Sequence, residues 1–403
     1  MYKLIFSLAF KNAFLRLHRT ILVIIMIAIS MSMMLSIQGL YDGMTLNMIE
    51  NTKRSDSGEI SLFAKNYRIN KTLQNSISNT LEIKKELEKY KNIDAIALRI
   101  NIDGLSATAR KSAFSSIIGI DLEDEEKFGL FSKFLKEGEI SFKKRGAIIG
   151  SELAKKLKIR VGSKVIFSTQ DNSEEINSIA LKIRGIVQTT NIKLDSQAIY
   201  VDIKRVRHFL GIKESVATQI AIRTTDKNLL KKLQTKYPNI DIKSFLELYP
   251  MIEQMKDIMV IFNSITFFIV MLVVFIGILG VMYVSILDRI REFGIMRSIG
   301  MSYKAIRIQI FLEALFVGFF GYISGAILGF LALLYLQNVG LDLSQFADGM
   351  ESFGMQTTIY AHSQISYFTT TFIAIVGASL LSVLLPLRKI KKLNPIEVIK
   401  ADK

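Results

Sequence analysis

The chain of 403 residues is half hydrophobic, carries 52 Lys and Arg against 36 Asp and Glu for a net charge of +16, and contains no cysteine. The length suits two to three domains of roughly 150 residues, and the missing cysteines exclude disulfides, thiolate metal sites and cysteine-linked lipid. A nucleic-acid role is excluded by charge placement: fifteen basic residues sit beside apolar segments, and the rest are scattered among acids with no concentrated stripe.

Residues 1–19 form a basic amphipathic segment with Lys3, Lys11, Arg16 and Arg19, ahead of a charge-free run from Thr20 to Tyr41. About 20 apolar residues cross a hydrocarbon core, so 20–41 is expected to span a membrane. The run is longer than a signal peptide's apolar region and offers no small-x-small cleavage site, which predicts a retained anchor. Ile37, Leu40, Met44 and Met48 continue an apolar stripe, which Asp42-Gly43 is expected to weaken as a helix.

Residues 42–257 read as a soluble α/β domain between the first two spans. Helical spacing is expected over 80–91, strand alternation over 93–102, and a strand at 146–150 followed by a helix to 159 capped by Ser151. Gly162 turns the chain into strand VIFST. IALKIRGIV and AIYVDI follow as strands, and helical patterns at 203–210 and 226–236 bracket a strand at 219–224. In DLEDEEK, Asp121 is expected to cap an acidic helical turn, since the stretch lacks the glycine and ligand spacing of a calcium loop. His18, His208 and His362 lie in three separate regions, so no metal site is expected. No G-x-x-x-x-G-K-[ST] phosphate loop and no catalytic constellation occur, so no enzyme activity or ATP hydrolysis is expected of this chain alone.

A second charge-free run, 258–287, would be ~45 Å long as a helix. That exceeds the core and, with the amphipathic FLELYPMIEQMKDIM before it, predicts strong tilt or a stalk. Residues 288–304 form a basic elbow in which Gly300 and Ser302 read as a helix stop and a fresh N-cap. The third span, 305–336, carries Glu313 and glycines 318, 321, 325 and 329. Small residues at that spacing let backbones approach closely, within one subunit or across a dimer seam. An acid in an apolar span needs a partner, and Glu313 is expected to pair with Arg289, Arg297 or Arg307. The connection 337–364 has three acids (Asp342, Asp348, Glu351) and no Lys or Arg; a fourth span, 365–387, precedes the basic tail 388–403. This asymmetry predicts both termini and the elbow in the cytoplasm and 42–257 outside. One shallow acid and four spans fit a secondary transporter poorly.

The elbow residues Asp288, Arg289, Glu292, Gly294, Met296, Arg297, Ser298, Ile299 and Gly300 fit the pattern E/D-R-x-x-E-x-G-x-x-[KR]-[AS]-x-G. Glu313 and the glycines from 318 onward follow it. Pro386, Arg388, Pro395, Glu397 and Val398 loosely match a closing motif, and Gly146–Leu157 matches G-x-x-I-G-x-x-L-A-x-x-L. On these motifs the chain resembles ABC transporter permeases of the MacB, LolC and LolE type with an FtsX-like membrane unit.

The resemblance implies an α-helical protein of the bacterial inner membrane. Four transmembrane helices are expected, with the large extracytoplasmic α/β domain inserted between helices 1 and 2. It further implies a second permease subunit, identical or not, and a separate cytoplasmic ABC ATPase that binds ATP and Mg, with none bound here. Asp288, Arg289, Glu292, Gly294, Arg297 and Gly300 would couple to that ATPase and rock the stalks mechanically. MacB proper carries its ATPase fused ahead of the first span, whereas this sequence begins 20 residues before it; FtsX has a smaller extracytoplasmic domain. A LolC/LolE-type subunit releasing lipoproteins to a periplasmic carrier is therefore expected, with peptide or drug efflux, or signalling to an extracytoplasmic partner, as alternatives. Residues 165–187 are short and proline-free where LolC-type subunits carry a hook, favouring a LolE-like or stand-alone chain. Met33, Met34 and Ile37 with Phe262, Phe268 and Ile269 are expected to form an apolar wall for acyl chains, since methionine adapts to irregular ligands.

Overall fold

The computed structural model describes residues 2–170, 175–189, 191–346, 349 and 357–391. In chain order the elements are α1 (Tyr2–Ala13), α2 (Leu17–Thr52), β1 (Ile60–Ala64), α3 (Thr80–Leu87), β2 (Ile93–Ala107), β3 (Ser112–Ile120), α4 (Leu122–Gly129), β4 (Leu135–Gly138), β5 (Gly146–Gly150), α5 (Ser151–Leu157), β6 (Lys164–Gln170) and β7 (Ile176–Val187). There follow α6 (Ile192–Gln197), β8 (Ala198–Asp202), α7 (Ile203–Leu210), β9 (Gln219–Thr224), α8 (Leu229–Lys236), β10 (Ile240–Ser244), α9 (Phe245–Leu248), α10 (Pro250–Asp288), α11 (Ile290–Ser298), α12 (Tyr303–Asn338), β11 (Leu341–Asp342), β12 (Thr358–Ile359) and α13 (Ile365–Lys391). They divide into two compact units. One is helical (Met1–Met44, Lys256–Asp342, Thr358–Lys403) and the other α/β (Thr45–Met255, Leu343–Thr357).

The α/β unit is built on one sheet in the order β10-β1-β9-β2-β3-β8-β5-β7-β4, with β6 pairing β2 and β7. The pairs β3–β8 and β5–β7 are parallel, and the others are antiparallel. Period-two alternation gives each strand a clean division of labour. Leu62, Ile100, Ile117, Ile199 and Ile220 enter a core shared with Leu87, Leu153, Leu157, Val206 and Leu233 from α3, α5, α7 and α8. The intervening residues of the same strands present a polar row, Ser61, Gln219, Asn101 and Asp103, in which Gln219 donates to Ser61 (3.1 Å) and Asn101 to Gln219 (2.8 Å). Arg99, on that second face, is 2% exposed and is held by Glu125 of α4 at 2.5 and 2.7 Å.

Local signals position the helices. Asp121 accepts from the amides of Glu123 and Asp124 at the start of α4, and Ser244 with Glu247 forms a capping box on α9. The expected cap at Ser151 is corrected: Gly150 is the N-cap and Ser151 is already helical. A side chain is excluded at 150, because a Cβ would lie 2.5 Å from the Asp195 carbonyl oxygen. The helix expected over 80–91 ends at Leu87, and 165–187 folds largely into the β6–β7 hairpin, whose residues 171–174 lie outside the described set.

Among the described residues, four helices are long and apolar enough to cross a membrane: Leu17–Ser57, Pro250–Asp288, Tyr303–Asn338 and Ile365–Arg388. Their shared core takes Ile27, Met31 and Leu35 from α2, Val274, Ile278, Met282 and Ile286 from α10, and Ile306, Ile310, Ala314 and Val317 from α12. These recur at the i, i+3 and i, i+4 spacings of one helix face. The expected weakness at Asp42-Gly43 is not present, since α2 is continuous through it. The glycine serves packing instead: a Cβ at 43 would fall 1.9 Å from the Tyr360 carbonyl oxygen, and Asp42 accepts a hydrogen bond from the Tyr367 hydroxyl. Pro250 occupies the first turn of α10, where its missing N–H costs nothing. Asp342 lies in β11, which pairs with β12, whereas Asp348, Glu351, Pro395, Glu397 and Val398 lie outside the described residues.

Candidate functional site

The elbow between α10 and α12 is α11, bounded by turns whose chemistry is local. At the far end Gly300 adopts φ +96°, and the amide of Met301 reaches back to the Met296 carbonyl (2.9 Å), closing the helix. Ser302 then accepts from the Ala305 amide at 3.3 Å and starts α12. At the near end Arg289 is the N-cap residue, 6% exposed. Its guanidinium donates to both oxygens of Glu313 (3.0 and 3.1 Å) and to Glu292 (3.0 Å), and stands 5.1 Å from the Phe293 ring centroid. Glu313 is 3% exposed and also accepts from Gln309 at 3.2 Å. Arg289, rather than Arg297 or Arg307, is thus the residue the structure pairs with this acid. One guanidinium nitrogen, Nη1, is shared between both carboxylate oxygens, and this buried charge-assisted contact ties the start of α11 to the third turn of α12.

Two further ties were not visible in the sequence. The Asp288 carboxylate accepts from Arg16 and from Arg19 (2.6 Å), both in the turn and first residues joining α1 to α2. The Tyr303 hydroxyl donates to the Leu387 carbonyl on α13 at 3.2 Å. Phe293 and Gly294 are buried beneath α11, while Arg291, Ile295 and Ile299, spaced i, i+4, i+8, remain exposed, Ile299 to 81%. Helix α11 with its C-cap Ile299 therefore presents one cationic and two aliphatic side chains, anchored to α12 through Arg289.

The glycines of α12 pack within this one chain. A Cβ at Gly321 or Gly325 would lie 2.8–2.9 Å from Ile27 or Met31 of α2, one at Gly329 2.5 Å from Leu35, and one at Gly318 2.2 Å from the Ser379 hydroxyl of α13. Helix α1 lies along the same helix through edge-to-face contacts of Phe6 and Phe10 with Phe316 (5.1 and 5.4 Å) and of Phe14 with Phe320 (5.2 Å). The six residues expected to wall an acyl-chain cavity do not share one environment. Met34 is fully buried and Ile37 half-buried, whereas Met33, Phe262, Phe268 and Ile269 are exposed. Among the described residues no group of three or more His, Asp or Glu is placed to hold a metal ion.

The sequence matches the MacB-like periplasmic core domain over residues 20–238 and the FtsX-like permease C-terminal over 264–395. The lipoprotein-releasing system transmembrane protein LolC of Buchnera aphidicola subsp. Schizaphis graminum is 28% identical over 60% of this chain, and the match spans 62% of that relative's length. The corresponding LolE of Haemophilus influenzae is 23% identical over 80% of this chain and 81% of its own. The periplasmic region of MacB from Actinobacillus actinomycetemcomitans aligns over 48% of this chain and 92% of that structure, at 16% identity and a TM-score of 0.33. With an FtsX-like membrane half and a MacB-like core that covers more than half of its residues, the chain belongs to the FtsX-like, MacB-like family of ABC transporter permeases.

Proposed function

We propose that this chain is the transmembrane subunit of an ATP-driven machine that releases lipoproteins from the inner membrane towards a periplasmic carrier. The observation that carries this reading is the match to a LolE protein along four fifths of the sequence. In this proposal the four apolar helices cross the inner membrane, the basic flanks hold both termini and α11 in the cytoplasm, and the α/β unit stands outside. A separate ABC ATPase, which binds the ATP and Mg, grips the exposed Arg291, Ile295 and Ile299 of α11. Its motion passes through Arg289 and Glu313 into α12, and a second permease subunit completes the assembly.

The test is affinity purification of the tagged chain from its own membranes in mild detergent, with mass spectrometry before and after ATP. Co-purified ATPase and acylated lipoproteins that leave on ATP addition support the proposal. An ATPase accompanied by no lipoprotein refutes the substrate, and the absence of any ATPase refutes the subunit role.

A further inference from the structure

The face of the sheet opposite α3, α5, α7 and α8 carries a cavity of about 730 Å³, and every residue lining it belongs to the α/β unit. Its floor includes Phe63 of β1, Asn101 and Asp103 of β2, Ile118 of β3 and Gln219 of β9. Each of these strands is hydrogen-bonded on both sides: β1 to β10 and β9, β9 to β1 and β2, β2 to β9 and β3, β3 to β2 and β8. The floor offers no free backbone edge, so an extended peptide could not add to it as a strand. Whatever enters is held by side chains.

Those side chains divide into two kinds. The walls are apolar and adaptable, with Met48 from the last turns of α2, Leu248 of α9, and Met251, Ile252 and Met255 from the first turns of α10. Methionine conforms to irregular apolar ligands. The lining charges are unbalanced. Asp103 is neutralised by Lys71 at 2.8 Å and also accepts from Ser116 at 2.5 Å, while Asp56 is met by Arg99 and by the Tyr249 hydroxyl. Arg68 and Lys193 are exposed and, among the described residues, have no ion-pair partner. Once the internal pairs are set aside, two cations remain at the rim of a chamber with apolar walls and a partly polar floor. The volume is in the range of ~300–1,000 Å³ usual for sites enclosing one small molecule.

We propose that this cavity binds a single-chain anionic amphiphile of the lysophospholipid type. The acyl chain lies along Met48, Met251, Ile252 and Met255, and the anionic head sits between Arg68 and Lys193. Because the walls come from the end of α2 and the start of α10, occupancy would set the spacing of those two segments. The proposal stands whether or not the chain releases lipoproteins, since binding requires neither ATPase nor ATP.

The full chain in phosphatidylcholine nanodiscs is illuminated with palmitoyl-lysophosphatidylglycerol carrying a diazirine at the chain end, and labelled peptides are identified by mass spectrometry. Label on the peptides containing Met48 and Met251–Met255 is expected, displaced by unlabelled lysophosphatidylglycerol and not by neutral monopalmitoylglycerol. The Arg68→Glu/Lys193→Glu variant, altered only at exposed positions, should lose about five- to tenfold of that label with an unchanged melting temperature. Label confined to residues 20–41 and 258–391 would overturn the proposal, as would equal displacement by the neutral competitor. The competition is read on the unaltered chain and does not depend on the variant's folding.

Discussion

Replacing Arg289 with methionine isolates the interaction on which the elbow rests. In the native chain the Glu313 carboxylate, 3% exposed, receives two bonds from Arg289 and one from Gln309. Arg289→Met leaves that acid with neutral amide donors only, Gln309 and Asn12, and Glu292, itself an acid and largely exposed, offers no substitute. Breaking a buried pair from one side costs about 3–5 kcal/mol, and placing an uncompensated charge within a span costs ~2.5–3.5 kcal/mol on insertion scales; a loss near 3 kcal/mol is expected. Arg289→Met/Glu313→Leu removes both charges and fills the space with apolar atoms, which is often neutral for a buried pair. The double variant should therefore recover most of the loss, with a coupling of about 2–3 kcal/mol. The chain has no tryptophan, so unfolding in mixed micelles of rising sodium dodecyl sulfate fraction is followed by far-ultraviolet circular dichroism. Strictly additive single-variant effects, or an Arg289→Met variant within ~0.5 kcal/mol of the native chain, would refute the argument.

The same assay separates packing glycines from permissive ones. Gly321→Val, whose Cβ would crowd Ile27, should lose ~1–3 kcal/mol, whereas Gly280→Ala, with nothing within 4 Å, should gain up to ~1 kcal/mol; equal effects would discount the α2–α12 contact. Ile295→Asp and Ile299→Asp, at exposed positions, should change stability by under ~0.5 kcal/mol yet abolish retention of the ATPase subunit, and undiminished retention would place docking elsewhere. In the α/β unit the Lys236 ammonium, and next the Tyr237 hydroxyl, hold the Glu86 carboxyl below its ordinary value of 4.5. A depressed folded-state value means the contribution is complete above pH 4.5 and is lost as pH falls through the folded value. Glu86→Gln should therefore flatten the acid limb of the melting-temperature profile below pH 4.5 and leave it parallel above; identical limbs would refute the pairing.

What was legible in the sequence was whatever depends on neighbours a few residues away. The strand at 219–224, the helix at 203–210, the cap at Asp121, the stop at Gly300 and the start at Ser302 all follow from local period or turn chemistry. The failures share a different cause. Ser151 looked like a cap because serine is a good one, but the constraint on that corner is the carbonyls of Leu194 and Asp195 pressing on Gly150 from more than forty residues away. Gly43 looked like a break because glycine costs a helix about 1 kcal/mol, yet it is required by the backbone at Tyr360. At the candidate site, the motif from Asp288 to Gly300 could be read directly. Its partners could be read only in part: an arginine partner for Glu313 was expected and Arg289 was one of three candidates, but Asp288 meeting Arg16 across 272 residues was not readable, and no periodicity singles out either pairing. Arg99 shows the same limit, its place on an alternating strand being readable and its partner Glu125 not.

The three ties flanking the elbow, from Asp288 at the end of α10, Arg289 at the start of α11 and Tyr303 at the start of α12, are of unequal strength, and the inequality bears on where force could pass. Arg16 and Arg19 are more than two-fifths exposed where they meet Asp288, so these pairs are screened by salt and contribute little. The Tyr303 bond to the Leu387 carbonyl is a single neutral one, worth about 1 kcal/mol. Only the Arg289–Glu313 pair is desolvated on both sides, and only it becomes strongly costly when half broken. A displacement of α11 would therefore drag α12 first through Arg289, while the contacts of Asp288 with the α1–α2 turn and of Tyr303 with α13 would yield more easily. Because α12 is keyed to α2 through Gly321, Gly325 and Gly329 at backbone distance, a push received at Ile295 and Ile299 reaches the first apolar helix by close packing alone, with no charged group needed beyond Glu313.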